Sequence, residues 1–396
     1  MLAPIMLESL GITWPLSTVS GYGITGVEIA QSFFRHGGRK LALTKKPATL
    51  ALPPLLELRF GAALDLAAKF DVMIQQNPNE TMDFDFPVLH GAGNDFAGFS
   101  GQDQVRGRPN IGYAAIEHLY CSTYGREVAQ SYTKLIAISA FNATYLRSLN
   151  LAPVHLCYQG IDCDLFFPQA KRNLWPGRFM VFSGGKFEFR KGQDIVLAAF
   201  KRFAATRPEA LLVCAWQSFG TSDPAMFQAA GHIQSTPPAV TGIGLDISGW
   251  LQQQGLQPHQ FIALPFTHQI MMPSVLRECD AALFPNRCEG GTNLVAMEAI
   301  ACGVPTYVAD NTGQADLVKY CGALPLTHQR PCPTAPDPRY TTAEWGESDV
   351  EEIVASLTNI YQDAQTARQN ALVAAEKITA WNWDALNQKL FTAIAA

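Results

Sequence analysis

The chain has 396 residues, of which 48% are apolar and only 16% are charged. This composition excludes a disordered chain and a coiled coil, and the length predicts two or three domains. The net charge of −5 is spread over both halves, with 12 Lys and Arg against 14 Asp and Glu through Asp164 and 17 against 20 after it. Because neither half is basic, the sequence argues against nucleic acid as a partner.

Short apolar runs alternate with amphipathic stretches in the first part of the chain. The runs predict strands at 40–44, 70–75, 86–90, 134–139 and 152–159. The stretches at 24–38, 55–70 and 114–133 have helical periodicity. This alternation predicts a parallel sheet with helices on both faces.

The same pattern then starts again. A strand at 177–185 ends in glycines, a helix over 194–208 follows, and further strands are predicted at 210–216, 259–266, 279–286 and 304–310. The break at 165–177 contains Pro, Trp and charged residues, which indicate a linker. The prediction is an α/β protein of two doubly wound domains with a hinge between them, divided at 1–167, 168–375 and a terminal helical segment 376–396 that packs back on the first domain.

The segment 284–318 contains the strongest candidate for a binding site. A strand ends at Pro285, a loop with Gly290 and Gly291 follows, and Thr292 or Asn293 can cap a helix that ends before Gly303. The free N–H groups and positive end of such a helix favour an anion, commonly a phosphate. Glu298 lies deeper in the helix, where a carboxylate needs a partner. It is predicted to accept hydrogen bonds from a ribose diol, the alternative being a buried structural residue.

A second segment, 182–200, joins a strand end at Gly184 and Gly185 to a helix after Gly192. The loop between them carries three cations, which suit a diphosphate because charge-assisted hydrogen bonds are strong. Glu188 offsets part of that charge, and a solvated basic loop is the alternative. The cations are Lys186, Arg190 and Lys191.

Together these segments resemble the retaining glycosyltransferases of family 4, which have the GT-B fold of two Rossmann-like domains facing a central cleft. The family pattern G-[RK]…K-G-x-D matches Gly185, Lys186, Lys191, Gly192 and Asp194. The family block EGFGLxxxEAMACGxPV matches Glu289, Gly290, Leu294 and the run from Glu298 to Pro305, with one extra loop residue between the two glutamates. YQGIDCDLFFP, at 158–168, is similar to the family's domain crossing.

The resemblance implies a nucleoside diphosphate sugar as donor, an acceptor hydroxyl on a sugar, lipid or small molecule, and no cofactor or metal. It implies that Lys186 and Lys191 hold the diphosphate and that Glu298 holds the ribose. Glu289 is implied to face the donor sugar together with Gly290, Gly291 and the backbone of Thr292, Asn293 and Leu294. The catalytic candidates are Glu289, Lys191 and His90.

The first domain contains Gly21-x-Gly23-x-x-Gly26, a formal dinucleotide fingerprint. No clear strand is predicted before it, and no acidic residue follows the next strand, so an acceptor or phosphate loop at Gly21 and Gly23 is favoured over NAD binding. His90 is predicted at the end of a strand, at the edge where open sheets bind ligands, with a structural histidine as the alternative. The family position against the donor sugar corresponds to Gln75 or Gln76.

Several other features bear on function. Asp83 and Asp85, and Asp162 and Asp164, resemble metal-binding DxD pairs, but Asp162 is predicted to bond local backbone instead. Nine unpaired cysteines without a C-x-x-C pair, no signal peptide and no apolar run of membrane-spanning length predict a cytoplasmic protein. The basic end of the helix at 24–40 leaves weak peripheral membrane contact open. A same-fold epimerase and an inactive scaffold are the alternative functions.

Overall fold

A computed structural model describes residues 7–218, 220, 224–233, 236–334 and 337–396. The chain divides into two compact units. The first unit runs to Gly160 and resumes with Trp381–Ala396, and the second is Ile161–Ala380.

The first unit is built on a parallel sheet with the order β2-β1-β4-β6-β7-β8 among its described residues. Helices form most of the crossovers between its parallel strands, but the crossover over 93–109 contains only short 3₁₀ turns and a two-residue strand. The elements are β1 (Ser9–Ile12), α1 (Gly21–Arg35), β2 (Lys40–Leu43), α2 (Pro54–Gln76), β3 (Met82–Asp83), β4 (Val88–Ala92), β5 (Val105–Arg106), β6 (Asn110–Ala114), α3 (Thr123–Gln130), β7 (Lys134–Ala137), α4 (Ala140–Leu149) and β8 (Val154–Leu156).

Three predictions about whole elements of this unit are wrong. Residues 70–75 are not a strand but the end of α2, because the buried positions Phe60, Ala63, Ala67 and Ile74 keep a helical spacing through that run. The equivalence of Gln75 and Gln76 with a position after a strand therefore fails. A buried strand, β1, does precede Gly21 and pairs with both β2 and β4.

The third wrong prediction is the long helix over 114–133. Residues 110–114 form strand β6, and the helix covers only Thr123–Gln130. Asn142 holds the intervening loop, because its side chain donates to the carbonyl of Ile116 and accepts from its N–H. Ser122 then caps α3 by accepting from Gly125 N. Side chains from elsewhere in the chain thus override the local helical pattern.

The second unit contains a parallel sheet with the order β13-β10-β9-β14-β15-β16 among its described residues. The predicted strands and the helical end of the chain are confirmed here. The elements are β9 (Phe179–Gly184), α5 (Gln193–Ala204), β10 (Ala210–Ala215), α6 (Pro224–Ala230), β11 (Val240–Thr241), β12 (Gly244–Leu245), α7 (Ile247–Gln253), β13 (Phe261–Ala263), α8 (Met272–Leu276), β14 (Ala281–Phe284), α9 (Leu294–Ala301), β15 (Thr306–Ala309), α10 (Ala315–Cys321), β16 (Leu324–Leu326), β17 (Gln329–Pro331), β18 (Gly346–Ser348), α11 (Val350–Gln362) and α12 (Ala364–Ile378).

The last helix, α13 (Trp383–Ala395), belongs to the first unit. Its apolar residues Leu390, Phe391 and Ile394 enter the same core as the first strands. Asn387 donates to the carbonyl of Glu28 on α1. The buried Lys134 donates to the carbonyl of Ala393 at 2.9 Å, which satisfies a free acceptor at the helix end.

The predicted linker is anchored to the second unit. Arg277 donates to the carbonyls of Leu165 and Phe167. Glu278 accepts from the backbone N–H groups of Arg172 and Leu174. These contacts fix residues 165–174 on the second unit, so this segment is not a free tether.

All nine cysteines are free thiols, and seven of them are buried. Within the described residues, no helix combines the length and the apolar character that crossing a bilayer requires.

Candidate active site

Two strand–loop–helix segments of the second unit meet at one edge of its sheet. β9 leads to α5 and β14 leads to α9, and the two strands are parallel neighbours. A Cβ on Gly184 would lie 2.8 Å from Val295 Cγ1, and a Cβ on Gly192 would lie 2.4 Å from the carbonyl oxygen of Pro285. The two loops are therefore in direct contact, and glycine allows their close approach.

Lys191 and Glu289 form an ion pair where these loops meet. Lys191 Nζ lies 2.5 Å from Glu289 Oε1, and the side chains are only 12% and 6% exposed. Burial lowers the pKa of Lys191, although Glu289 opposes the shift. Burial alone would raise the pKa of Glu289, but Lys191 and Arg190 together hold it below its ordinary value. The structure thus joins two predicted catalytic residues as a charged pair.

Arg190 extends this pair into a network of two cations and two carboxylates. Its guanidinium lies 3.1 Å from Glu289 Oε2 and 2.7 Å from Glu188 Oε2. Asn286 also donates to Glu289. Lys186, in contrast, is exposed on the turn after Gly185. Of the three predicted cations, two converge on Glu289.

The main chain of the loop that begins at Glu289 is fixed. Glu289 N donates to Thr312 Oγ1 at 2.9 Å, and its carbonyl accepts from Gly313 N at 2.9 Å. A Cβ on Gly313 would lie 2.0 Å from the carbonyl oxygen of Gly291, so only glycine fits there. These contacts set the path of Gly290 and Gly291 toward α9.

The loop ends at the N-terminus of α9, as predicted. Asn293, and not Thr292, caps the helix, since its Oδ1 accepts from Ala296 N at 3.3 Å. Asn293 has a φ of 67°, in the left-handed region. Thr292 is buried and donates to Met297 Sδ. Leu294 is the first residue of α9, so its N–H, like the others in the first turn, has no acceptor within the helix.

Glu298 is buried inside α9 with one polar partner among the described contacts. Gln269 Nε2 donates to Glu298 Oε1 at 2.8 Å. Burial raises the pKa of Glu298 to about 8, and the hydrogen bond from Gln269 opposes this only in part. The side chain is therefore largely the neutral acid at pH 7, which can both donate and accept a hydrogen bond.

Sequence reasoning missed Arg287, which organises the site from beneath. Its guanidinium is fully buried, pairs with both carboxylate oxygens of Asp194 at 2.8 Å and lies 2.8 Å from Glu347. It also stacks on Phe189 at 3.9 Å. Arg287 thereby ties the start of α5 to the loop before Glu289. The one signal in the sequence was an arginine three residues after the apolar strand that ends at Phe284.

Gly23 is a packing position at the start of α1. A Cβ there would lie 2.3 Å from Ser17 Cβ, whereas Gly21 has open space around it. Gly21 and Gly23, predicted as an acceptor or phosphate loop, thus form the first turn of α1, against which Ser17 packs. Their role in binding stays a prediction.

His90 lies inside β4 and not at its end, because the strand continues to Ala92. The side chain is 2% exposed and packs 5.7 Å from the ring of Tyr132. Burial lowers the pKa of His90 to about 4, despite a hydrogen bond with Asn110. A neutral, buried imidazole favours the structural alternative, and the catalytic role stays a prediction.

The two DxD pairs differ in their surroundings. Asp83 and Asp85 are exposed. Asp162 Oδ1 accepts from the N–H groups of Asp164 and Leu165, as predicted. Among the described residues, no group of three or more His, Cys, Asp or Glu side chains is arranged to hold a metal ion.

Comparison with known proteins supports the sequence resemblance. Residues 247–390 match the family model described as "GT4-conflict: Family 4 Glycosyltransferase in conflict systems". That range includes Glu289, the loop after it and Glu298. No curated protein matches the sequence.

Solved GT-B enzymes share the fold over nearly the whole chain. Sucrose-phosphate synthase from Thermosynechococcus elongatus is 16% identical, covers 98% of both chains and has a TM-score of 0.63. HepE from Anabaena in complex with UDP-glucose is 15% identical over 98% of this chain and 99% of that one, with a TM-score of 0.61. Trehalose-6-phosphate synthase OtsA is 12% identical, covers 98% and 99%, and also has a TM-score of 0.61. The predicted GT-B fold and the family 4 resemblance are confirmed.

Proposed function

We propose that this chain, a GT-B glycosyltransferase with a family 4 match over residues 247–390, transfers a sugar from a nucleoside diphosphate donor to an acceptor hydroxyl and retains the anomeric configuration. The observation that carries the proposal is the buried pair of cations, Lys191 and Arg190, in the loop that contacts the segment leading to α9. The complex of HepE with UDP-glucose makes uridine diphosphate sugars the first donors to test.

In this proposal the cations stabilise the charge that develops on the departing diphosphate. A charged group in a buried site stabilises such charge better than water does, because the protein's charges and dipoles are already oriented whereas water molecules must reorient. Lys191 and Arg190 meet this condition, since burial restricts both side chains. The departing phosphate accepts the acceptor's proton, so the protein supplies position and charge more than a base.

Glu298 is proposed to hold the ribose of the donor. Its neutral carboxyl can accept from one hydroxyl and donate to another. Glu298→Ala should weaken binding of uridine diphosphate by about 1–3 kcal/mol and leave binding of inorganic pyrophosphate unchanged. Calorimetric titration of both ligands measures the difference, and equal losses would contradict a ribose contact.

We also propose that transfer needs no metal ion. Lys191, Arg190 and the N-terminus of α9 already provide positive charge for a diphosphate. Activity should survive excess EDTA, and Asp164→Asn should keep kcat near that of the wild type. An enzyme silenced by EDTA, restored by Mn²⁺ and inactive as Asp164→Asn would contradict this proposal.

The decisive experiment is an assay of sugar transfer and donor hydrolysis with uridine, guanosine and adenosine diphosphate sugars. Lys191→Ala should lower kcat/KM by roughly 10²–10³, because it removes a positive charge that stabilises the departing diphosphate. NMR of the product reports its anomeric configuration. An epimerised free sugar without a transfer product would favour the epimerase, and binding without turnover would favour the scaffold.

The side chain of Lys191 is only 12% exposed and is paired with Glu289, so Lys191→Ala affects the fold as well as the proposed chemistry. The variant should therefore also lose roughly 1–3 kcal/mol of stability, because Glu289 stays buried with Arg190 as its remaining cation. Lys191→Met, which fills the space, separates a folding defect from a catalytic one.

A further inference from the structure

Asn293 occupies a position where the family block has glycine. In EGFGL the residue before the leucine is Gly, and here Asn293 directly precedes Leu294. The backbone explains the glycine, because the φ of 67° lies in the left-handed region. Asparagine tolerates this region better than most side chains. The chain thus keeps the backbone conformation of the block and adds a side-chain amide to it.

One half of that amide has a structural role. Asn293 Oδ1 accepts from the backbone N–H of Ala296 in the first turn of α9. This hydrogen bond fixes the plane of the amide over the start of the helix. The orientation of the other half, the Nδ2 group, is therefore set by the cap.

The other half, the Nδ2 group, is without a partner in the part of the chain that the structure describes. The side chain is 95% buried, and Nδ2 has no hydrogen-bond acceptor among the described residues. Buried polar groups nearly always have a partner, so an unpartnered one calls for a ligand or a functional reason. Nδ2 can only donate, and its complement is an oxygen acceptor.

The surroundings favour an anionic acceptor. Nδ2 sits at the N-terminal end of α9, where helix N–H groups and the helix dipole attract negative charge. The same loop begins at Glu289, on which Lys191 and Arg190 converge. Gly184, at the end of β9, lies against Val295, two residues after Asn293. Phosphate fits this combination of donors better than a neutral hydroxyl.

We propose that Asn293 is a donor-recognition residue, whose Nδ2 donates to a phosphate oxygen of the nucleoside diphosphate. It adds a side-chain contact where the family block offers only backbone N–H groups. The inference rests on the proposed function, since it concerns the same donor. It assigns to Asn293 a contact beyond the backbone one that the resemblance implies.

Asn293→Asp is the sharpest test because it changes only the unpartnered half of the side chain. An aspartate keeps the cap oxygen and the shape, but it places a carboxylate oxygen where the N–H group was. Uridine diphosphate affinity should fall by about 10-fold or more, since a repulsion replaces a hydrogen bond. Asn293→Gly, which suits the φ of 67°, should lose about 3- to 10-fold.

Asn382→Asp is the matched control. Asn382 is also a helix cap, accepting from Ala385 N at the start of α13 in the first unit. The change in charge and shape is identical to that in Asn293→Asp, but Asn382 is not in the proposed donor site. The affinity of Asn382→Asp for uridine diphosphate should therefore equal that of the wild type. Thermal unfolding of all variants reports whether the caps are intact.

Three ligands locate the contact. Inorganic pyrophosphate, uridine diphosphate and uridine diphosphate glucose should all show the same loss with Asn293→Asp. A loss confined to the sugar-containing ligand would overturn the phosphate assignment, and unchanged affinities in both Asn293 variants would overturn the inference. If the wild type binds no uridine, guanosine or adenosine diphosphate, the proposed function itself fails, which the wild-type titrations show before any variant is compared.

Discussion

Glu289 pairs with the two cations that are proposed to bind the donor diphosphate. Its oxygens contact Lys191 and Arg190, and Asn286 adds a third hydrogen bond. Because its main chain is fixed through Thr312 and Gly313, only its side chain is left to rotate away. A diphosphate that reaches these cations must share them with Glu289 or displace it.

Glu289→Gln should therefore separate binding from turnover. The amide keeps the shape but attracts Lys191 and Arg190 less, so uridine diphosphate should bind about 3- to 10-fold more tightly. Turnover should fall if the carboxylate also orients the donor sugar. Calorimetry and steady-state kinetics measure the two effects, with Glu57→Gln, at an exposed carboxylate, as the control. Weaker diphosphate binding in Glu289→Gln would show that the carboxylate does not compete.

Glu298 should make stability depend on pH. The folded state raises the pKa of this carboxyl from 4.5 to about 8, so it keeps a proton that the unfolded chain loses first. Its contribution to stability is therefore complete below pH 4.5 and declines as the pH rises toward about 8.

Glu298→Gln removes that dependence, because an amide does not titrate. The difference in free energy of unfolding between the variant and the wild type should increase by roughly 2–5 kcal/mol, in favour of the variant, from pH 5 to pH 8. Urea unfolding at both pH values measures the gain. Glu57→Gln, at an exposed carboxylate, is the control. A gain equal at both pH values would mean that Glu298 is ionised in the folded protein.

At the scale of the elements, the glycine-marked turns of the second unit were predictable and the long connections of the first were not. Gly184, Gly192 and Gly303 mark the ends of strands and helices, and such ends can be predicted from the local sequence. The loop over 115–121 depends on Asn142, an amide from α4 that no local pattern reveals. Arg287 is similar, because its partners Asp194 and Glu347 are distant in sequence.

Two glycines at helix starts should respond oppositely to alanine. Gly192 has a φ of 67°, and a Cβ there would meet the carbonyl oxygen of Pro285 at 2.4 Å. Gly192→Ala should therefore cost roughly 2–4 kcal/mol. Gly21 begins α1 with open space around it, so Gly21→Ala should change stability by less than about 1 kcal/mol, in the stabilising direction. Denaturant unfolding compares the two, and equal effects would contradict the packing argument.

At the scale of the whole molecule, the sequence predicted two Rossmann-like units because strand–helix alternation is a local signal repeated along the chain. It also predicted the strand–loop–helix order of residues 182–200 and 284–302, since strand, glycine and helix cap are consecutive in sequence. It did not predict which cations converge on Glu289. Lys191 differs from Lys186 in its burial, which depends on the tertiary structure. Nor did the sequence predict that Glu298 is largely neutral, which depends on how completely α9 is covered.

The return of α13 to the first unit has a consequence for biosynthesis. Leu390, Phe391 and Ile394 complete a core whose strands are made more than two hundred residues earlier. While the second unit is being synthesised, the apolar surface of the first unit that α13 later covers stays exposed. A fragment of residues 1–160 should therefore expose apolar surface and bind a hydrophobic dye, and adding a peptide of residues 381–396 should suppress that binding. A fragment that folds as stably alone as with the peptide would show that the nascent first unit is finished long before its last helix emerges.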